Sequence, residues 1–163
     1  MSSGKEKNIH NELTQFPAYR PISHSYRACV CSLTYMHNET ISIYTHLIPA
    51  ILFLLAQAII HPLFKVRYPD ATVSDRIIFV VFLTTATICL GVSAGYHTLC
   101  NHSKRISELT LRCDFVGIVI LTLGFFISGV YMGFWCEEKI RWIYWGIVSL
   151  FFSPYPSSSS SYF

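Results

Sequence analysis

The chain has 163 residues, of which 52% are hydrophobic and 13% charged, and a mean hydropathy of +0.43. Soluble domains usually carry about 25% charged residues, so this composition argues against an ordinary soluble enzyme and indicates a lipid bilayer as the solvent. The net charge of +3 is small and dispersed. No basic cluster alternates with aromatic residues, which argues against a nucleic-acid-binding surface.

Three uncharged runs follow a polar N-terminal tail over residues 1–18. They cover Ile41–Ile60, Ile77–Tyr96 and Phe115–Trp135, and each has about the 20 residues that a helix needs to cross a hydrocarbon core. We predict membrane helices over about 41–60, 77–97 and 114–135, and expect the first to stop at His61-Pro62 because proline breaks the helical hydrogen-bond ladder.

The C-terminal part begins a fourth apolar segment, which predicts a partial helix over 140–152. A low-complexity tail rich in serine and proline follows over 153–163. A helix that ends in serine before crossing would expose backbone to lipid. We therefore expect a C-terminally truncated chain, a fragment or a gene-model artefact. The predicted fold class is an all-α membrane protein.

Connectivity predicts which polar residues share a membrane face. If the first helix enters from the N-terminal side, the second returns to it and the third starts from it. Glu39, Ser93, His97 and Asp114 then lie on one face. By our count this side carries Lys5, Lys7, Arg20, Arg27, Lys104, Arg105 and Arg112, and the other side carries Lys65, Arg67, Arg76, Lys139 and Arg141. The surplus of cations predicts a cytosolic N-terminal side.

The end of the second helix carries the first candidate site. Ser93 and His97 are four residues apart and share a helical face. His97 could bind zinc through a ring nitrogen, with Ser93 bonding a metal-bound water or a substrate oxygen. In the alternative, His97 is an interfacial histidine and Ser93 bonds the carbonyl four residues before it.

Asp114, Glu39 and His46 complete the candidate set. Asp114 could accept the proton of a metal-bound water. Alternatively, it could be a carboxylate that the helix dipole stabilises at the first turn of the third helix. Glu39 could orient a neighbour or cap the first helix, and His46 is a weaker candidate ligand. A haem held by His46 and His97 is a further alternative. The six cysteines are expected to be ordinary thiols rather than a disulfide framework.

Three segments occur in an order that resembles a known family. They are YRPISHSYRACVCSLTYMHNETISIYTHLIPAI, SAGYHTLCNHS and LRCDFVGI. Over about residues 19–152, the chain resembles the progestin and adipoQ receptor family, also called hemolysin III-related proteins. This resemblance implies a seven-transmembrane helix bundle with a zinc ion near the cytosolic helix ends, and the present chain would supply its first three to four helices.

The resemblance also implies roles for single residues. The family's S-x-x-x-H motif falls on Ser93 and His97, which makes His97 a zinc ligand. Its aspartate motif falls on Asp114, with Phe115 in place of a tyrosine, and its H-N-E-T motif leads to His46, with Ser42 in place of an asparagine. The H-x-x-x-H motif that supplies the other two zinc histidines is missing, so the zinc site is incomplete in this chain.

Two functions remain open. The first is a zinc-dependent hydrolase of a lipid amide of the ceramide type, of which this chain is an inactive fragment. The second is a receptor-like or regulatory membrane protein in lipid and metal homeostasis, with a structural zinc. The expected partners are membrane lipid and a lipid or sterol-like ligand.

Overall fold

The computed structural model describes residues 18–152. The predicted serine-rich tail over 153–163, and all of the predicted polar tail except Ala18, lie outside the described residues. Within the described part every regular element is helical. The elements are α1 (Tyr26–Cys31), a 3-10 turn (Ser32–Thr34), α2 (Thr40–Arg67), α3 (Val73–Leu99), α4 (Lys104–Gly133) and α5 (Glu138–Phe152).

Three of these helices are long and apolar enough to cross a membrane. They are α2, through its portion Thr40–Ile60, then α3 and α4. This finding confirms the all-α membrane fold predicted from the uncharged runs. The shorter α5 has 15 residues and follows α4 after a tight connection, which agrees with the partial fourth helix expected there.

The portion of the first helix that could cross a membrane ends at Ile60, as predicted, but the helix itself does not stop at His61-Pro62, so the predicted helix end is wrong. Helix α2 runs through both Pro49 and Pro62 and ends at Arg67. Tyr68 closes the last turn by donating its N–H to the Phe64 carbonyl at 3.0 Å. A proline removes one helical donor, but continuing the helix keeps the other backbone groups bonded, and membrane helices tolerate proline for this reason.

Helix α4 begins ten residues earlier than the predicted start at residue 114. Ser103 forms its N-cap and accepts a hydrogen bond from the Ile106 N–H at 3.4 Å. The first turns carry charged residues, so a search for uncharged runs detects only the later part of the helix. Asp114 therefore lies inside α4, and the explanation of Asp114 as a first-turn dipole partner is wrong.

Helix α3 is central and packs against both α2 and α4. The approach of α4 depends on small residues, since a β-carbon on Gly117 would lie 3.2 Å from the Cys89 Cα and one on Gly124 would overlap Thr85. Helix α2 is held by a polar side chain within the membrane segment. Gln57 accepts a hydrogen bond from the Thr84 hydroxyl at 2.9 Å, a type of contact that links membrane helices.

A polar cluster joins α3, α4 and α5 at the end of the bundle where α3 begins and α4 ends. Asp75 is 4% exposed and accepts a hydrogen bond from the Tyr131 hydroxyl at 2.6 Å. The Arg141 guanidinium lies 5.0 Å from the centre of the Tyr131 ring. In α5, Trp145 donates its indole N–H to the Ile127 carbonyl at 3.3 Å. These contacts fix the far end of the bundle, away from His97.

Candidate functional site

The segment before α2 folds over the helix ends next to His97. The Ser23 N–H donates to the Asn101 carbonyl and the His24 N–H donates to the His102 carbonyl, both at 2.9 Å. This pairing holds the N-terminal segment against the connection between α3 and α4. The polar residues near His97 are therefore contributed by three separate stretches of chain.

Glu39 and His97 form the centre of the site. The Glu39 Oε2 and His97 Nδ1 atoms are 2.8 Å apart, and the side chains are 25% and 21% exposed. A carboxylate accepts hydrogen bonds and does not donate them, so the imidazole donates from Nδ1, and the neutral form of such a ring has its lone pair on Nε2. The contact confirms that Glu39 and His97 share one membrane face, as connectivity predicted.

His46 and Ser93 lie one layer deeper. The His46 Nδ1 and Ser93 Oγ atoms are 2.7 Å apart and share a hydrogen bond. The His46 ring also meets the His97 ring edge-on, with centroids 5.5 Å apart. The hydroxyl of Ser93 therefore contacts a side chain of α2, rather than serving only its own helix as the alternative explanation required.

Arg20 binds the C-terminal end of α3 and was not predicted as part of the site. It is 4% exposed. Its guanidinium donates to the His97 carbonyl at 2.6 Å, the Thr98 carbonyl at 3.2 Å and the Ser32 hydroxyl at 2.7 Å. Cations are favoured where helix carbonyls lack partners. Arg20 lies 77 residues before His97 in an irregular segment, so periodicity could not find it; its place in the first family-like segment was the available signal.

His37 supports the start of α2 from inside the fold. Its Nδ1 accepts a hydrogen bond from the Glu39 N–H at 3.1 Å, and its own N–H donates to the Thr40 hydroxyl at 2.8 Å. Burial lowers the pKa of His37, and the positive charge of Arg20 lowers it further. The neutral imidazole thus fixes the backbone that carries Glu39.

Asp114 approaches the site from α4. It is partly buried and lies near enough to act electrostatically on Cys89 and Tyr96 of α3. Gly117, one turn later, contacts Cys89, so Asp114 is on the face of α4 that packs against α3. The structure brings Glu39, His46, Ser93 and His97 into one connected cluster and places Asp114 beside the same helix, without a direct bond to His97.

A cavity of about 440 Å³ opens beside His97. Its walls come from the N-terminal segment, the end of α3 and the first turns of α4. The lining side chains include Arg20, Glu39, Tyr96, His97, Ser107 and Glu108. A polar cavity at the end of a membrane helix gives water and polar solutes a route to the His97 imidazole.

The described residues match one zinc ligand and do not make up a whole zinc site. A histidine that binds zinc usually donates its other ring N–H to a carboxylate, and the pair of Glu39 and His97 has this arrangement. Among residues 18–152, no group of three His, Cys, Asp or Glu side chains is placed to hold a metal ion. Any further donors would therefore come from outside this described part.

One of the six cysteines, Cys100, lies at the edge of the site and lines the cavity. All six cysteines are free thiols in the structure. Burial raises the pKa of the Cys100 thiol, while the Arg20 charge lowers it. Cys100 donates weakly to the His97 carbonyl at 3.3 Å, so its role is to pack at the helix end.

Comparison with known proteins identifies the family. The model of the haemolysin-III related family matches residues 34–153, a range that contains Glu39, His46, Ser93, His97 and Asp114. The chain belongs to the haemolysin-III related family. Together with the three apolar helices, this membership makes the chain an integral membrane protein, and it confirms the resemblance inferred from the sequence segments.

Several members of the haemolysin-III related family are similar over most of the chain. The adiponectin receptor protein of Drosophila melanogaster is 34% identical over 134 residues, which cover 81% of this chain and 29% of the relative. The ADIPOR-like receptor IZH2 of Saccharomyces cerevisiae is 37% identical over 103 residues, or 63% of this chain and 32% of the relative. Heptahelical transmembrane protein 1 of Arabidopsis thaliana is 34% identical over 131 residues, which cover 77% of this chain and 40% of the relative.

The matched region is thus a minor part of each relative. The chain spans between 29% and 40% of the length of these three proteins. Membership in the haemolysin-III related family applies to the chain itself, whereas an activity that needs the whole protein is a matter for proposal.

Proposed function

We propose that this chain supplies one face of a zinc-dependent membrane hydrolase that acts on a lipid amide. The observation that supports the proposal best is the 2.8 Å contact between Glu39 and His97. It fixes the ring and leaves Nε2 as the free donor atom beside a polar cavity. The proposal concerns the longest protein that the gene encodes, since the described residues supply one ligand.

Several residues of the chain would have separate roles around His97. Glu39 orients the His97 ring, and Arg20 holds the backbone on which His97 stands. Ser93, bonded to His46, supports a polar atom of water or substrate, and Asp114 takes up a proton from the attacking water. Zinc, when bound, polarises the amide carbonyl and makes its bound water more acidic.

The position of the site fits a substrate held in the bilayer. Glu39 and His97 stand at the ends of membrane helices, so an amide at the headgroup level would meet them while its acyl chain stays in lipid. The cavity beside His97 provides the water that hydrolysis consumes. Unlike the haem alternative, this proposal gives Glu39 a role.

Zinc content and lipid-amide hydrolysis, measured on the same samples, test the proposal. The longest protein from the gene is purified in lipid nanodiscs as wild type, His97→Ala and Asp114→Asn, with exposed His24→Asn as the control. We expect His97→Ala to lose zinc and hydrolysis. Asp114→Asn should keep its zinc and lose hydrolysis by about 100-fold or more, the usual contribution of a proton-transfer group.

The receptor-like alternative predicts a different pattern. If zinc only stabilises the fold, His97→Ala lowers the melting temperature and Asp114→Asn leaves zinc, stability and any signalling unchanged. A wild-type protein that holds zinc but hydrolyses no lipid amide would overturn the enzymatic proposal. Zinc content that is equal in wild type and His97→Ala would overturn the metal site itself.

A further inference from the structure

The segment over residues 22–36, which contains α1 and the 3-10 turn, carries exposed apolar side chains outside the three membrane helices. Large apolar side chains in this segment are between 47% and 77% exposed. They are Ile22, Tyr26, Val30, Tyr35 and Met36. A soluble surface rarely gathers this much exposed apolar area within fifteen residues unless something apolar covers it.

Viewed along its axis, α1 has three sectors of different character. Cys29 is fully buried and faces the protein. Tyr26 and Val30, one turn apart, lie together beside that buried sector. Arg27 and Cys31 are exposed on the side away from Cys29. A helix with separate protein, apolar and polar sectors is typical of a segment at a membrane–water boundary.

A hydrogen bond attaches the 3-10 turn to the start of α2. The Tyr44 hydroxyl donates to the Leu33 carbonyl at 2.7 Å. Tyr44 stands four residues after the start of α2, which corresponds to about 6 Å along the helix axis. The 3-10 turn is therefore attached to the first turns of a membrane span.

The exposed apolar side chains of residues 22–36 continue a surface that already faces lipid. On α2, Ile41 and Ile48 are exposed on the side of Tyr44, and Tyr44 connects this side to Leu33. The segment cannot swing away freely, because Arg20 bonds Ser32 at 2.7 Å and the His24 N–H bonds the His102 carbonyl.

We propose that residues 22–36 form an interfacial anchor, in which the flank of Val30 and Met36 is buried in the bilayer's own lipid on the leaflet next to His97. The Tyr26 ring lies against the His102 ring, with 4.1 Å between centroids, and borders this flank. Arg27 lies in the polar sector and reaches the headgroups, as long cationic side chains do at this boundary. Tyr26 and Tyr35 suit the same level, where tyrosine is enriched in membrane proteins. The anchor is independent of zinc and of lipid-amide hydrolysis.

Carbene footprinting of the unaltered chain in phosphatidylcholine nanodiscs tests the anchor. One sample receives a lipid-confined diazirine, and a second receives a water-soluble diazirine. Tandem mass spectrometry then compares Val30 and Met36 with Arg27, which is the matched control in the same helix. Ile48 on α2 is the positive control for lipid contact, and circular dichroism confirms that the sample is helical.

The expected result is about threefold more lipid-derived label on Val30 and Met36 than on Arg27, with the opposite order for the water-soluble reagent, as for a helix lying in the interface. Equal water-derived label on Val30 and Arg27 would overturn the anchor, because the flank would then face solvent. Protection of Val30 and Met36 from both reagents would also overturn it, since another protein surface or a second copy would then cover the flank.

Discussion

Arg20 connects the N-terminal segment to the residue at the centre of the site. Its guanidinium binds carbonyls of His97 and Thr98 as well as the Ser32 hydroxyl. Removing a buried charged donor leaves several acceptors without partners, which costs more than the mean worth of one hydrogen bond. At the residue scale, the backbone under His97 is thus controlled by a side chain far away in sequence.

We predict that Arg20→Ala lowers the free energy of unfolding by about 3 kcal/mol, as expected for loss of a buried charge-assisted network. The control is Arg27→Ala, at an exposed position of α1, which should change stability little. Chemical unfolding in detergent micelles measures both variants. Equal stability of Arg20→Ala and wild type would show that the three bonds do not hold the helix end.

His37 makes stability depend on pH. Burial and the Arg20 charge lower the pKa of His37 below the usual imidazole value of 6.5, so the unfolded chain binds a proton more readily than the folded one. Stability then rises with pH up to about 6.5 and is lost as the pH falls below it. His37→Asn retains an acceptor for the Glu39 N–H and should remove this slope.

The control for this measurement is His24→Asn. His24 is exposed and has a φ of 49°, a left-handed conformation that asparagine tolerates. Melting temperatures across a pH series compare the two variants with wild type. If His37→Asn keeps the full acid sensitivity, the titrating group is elsewhere.

At the scale of elements, the pairing of α3 with α4 depends on close approach at single positions. Gly124 has no space for a β-carbon because Thr85 occupies it, whereas Gly129 has open space around the equivalent position. Both glycines are in α4, five residues apart, so they form a matched pair.

We expect Gly124→Val to lower the free energy of unfolding by about 2 kcal/mol through overpacking, with a smaller effect for Gly129→Val. Unfolding by titration with a denaturing detergent checks both. A Gly129→Val variant as unstable as Gly124→Val would mean that β-branching inside the helix, and not the contact with Thr85, determines the loss.

Uncharged runs predicted the membrane helices well, and their ends poorly. The helices were predicted from runs without charged residues, and such runs mark only the part of a helix that lies inside the bilayer. The charged first turns of α4 and the end of α2 beyond Pro62 continue the helices outside that part. Ser103 at the start of α4 was a capping signal that the charge criterion did not use.

The site was predictable only where connectivity sufficed. The alternating direction of successive membrane helices predicted that Glu39 and His97 lie on one membrane face, and their contact confirms it. Helical spacing could not show that Ser93 would bond His46 of another helix, or that Arg20 would reach His97, because such contacts depend on how helices and loops dock. The catalytic and metal-binding roles of His97, Asp114 and Ser93 stay predictions.

The whole molecule has two different ends. One end holds the cluster of Glu39, His46, Ser93 and His97, of which Glu39 and His97 line an open cavity. At the other end, Asp75 is hydrogen-bonded to Tyr131. The closed cluster of Asp75 and Tyr131 stabilises the bundle, while at the partly exposed end the His97 imidazole borders the cavity. The first end also carries the proposed interfacial anchor, so lipid contact and the candidate site share one leaflet.

The tautomer of His97 decides whether Nε2 is available to a metal ion. Nitrogen-15 NMR of histidine-labelled chain in lipid nanodiscs distinguishes a proton on Nδ1 from one on Nε2. We predict that His97 carries its proton on Nδ1, donated to Glu39, with Nε2 unprotonated, and that Glu39→Gln weakens this preference. A His97 ring that is protonated on Nε2 alone, or unaffected by Glu39→Gln, would contradict the proposed presentation of Nε2 to a metal.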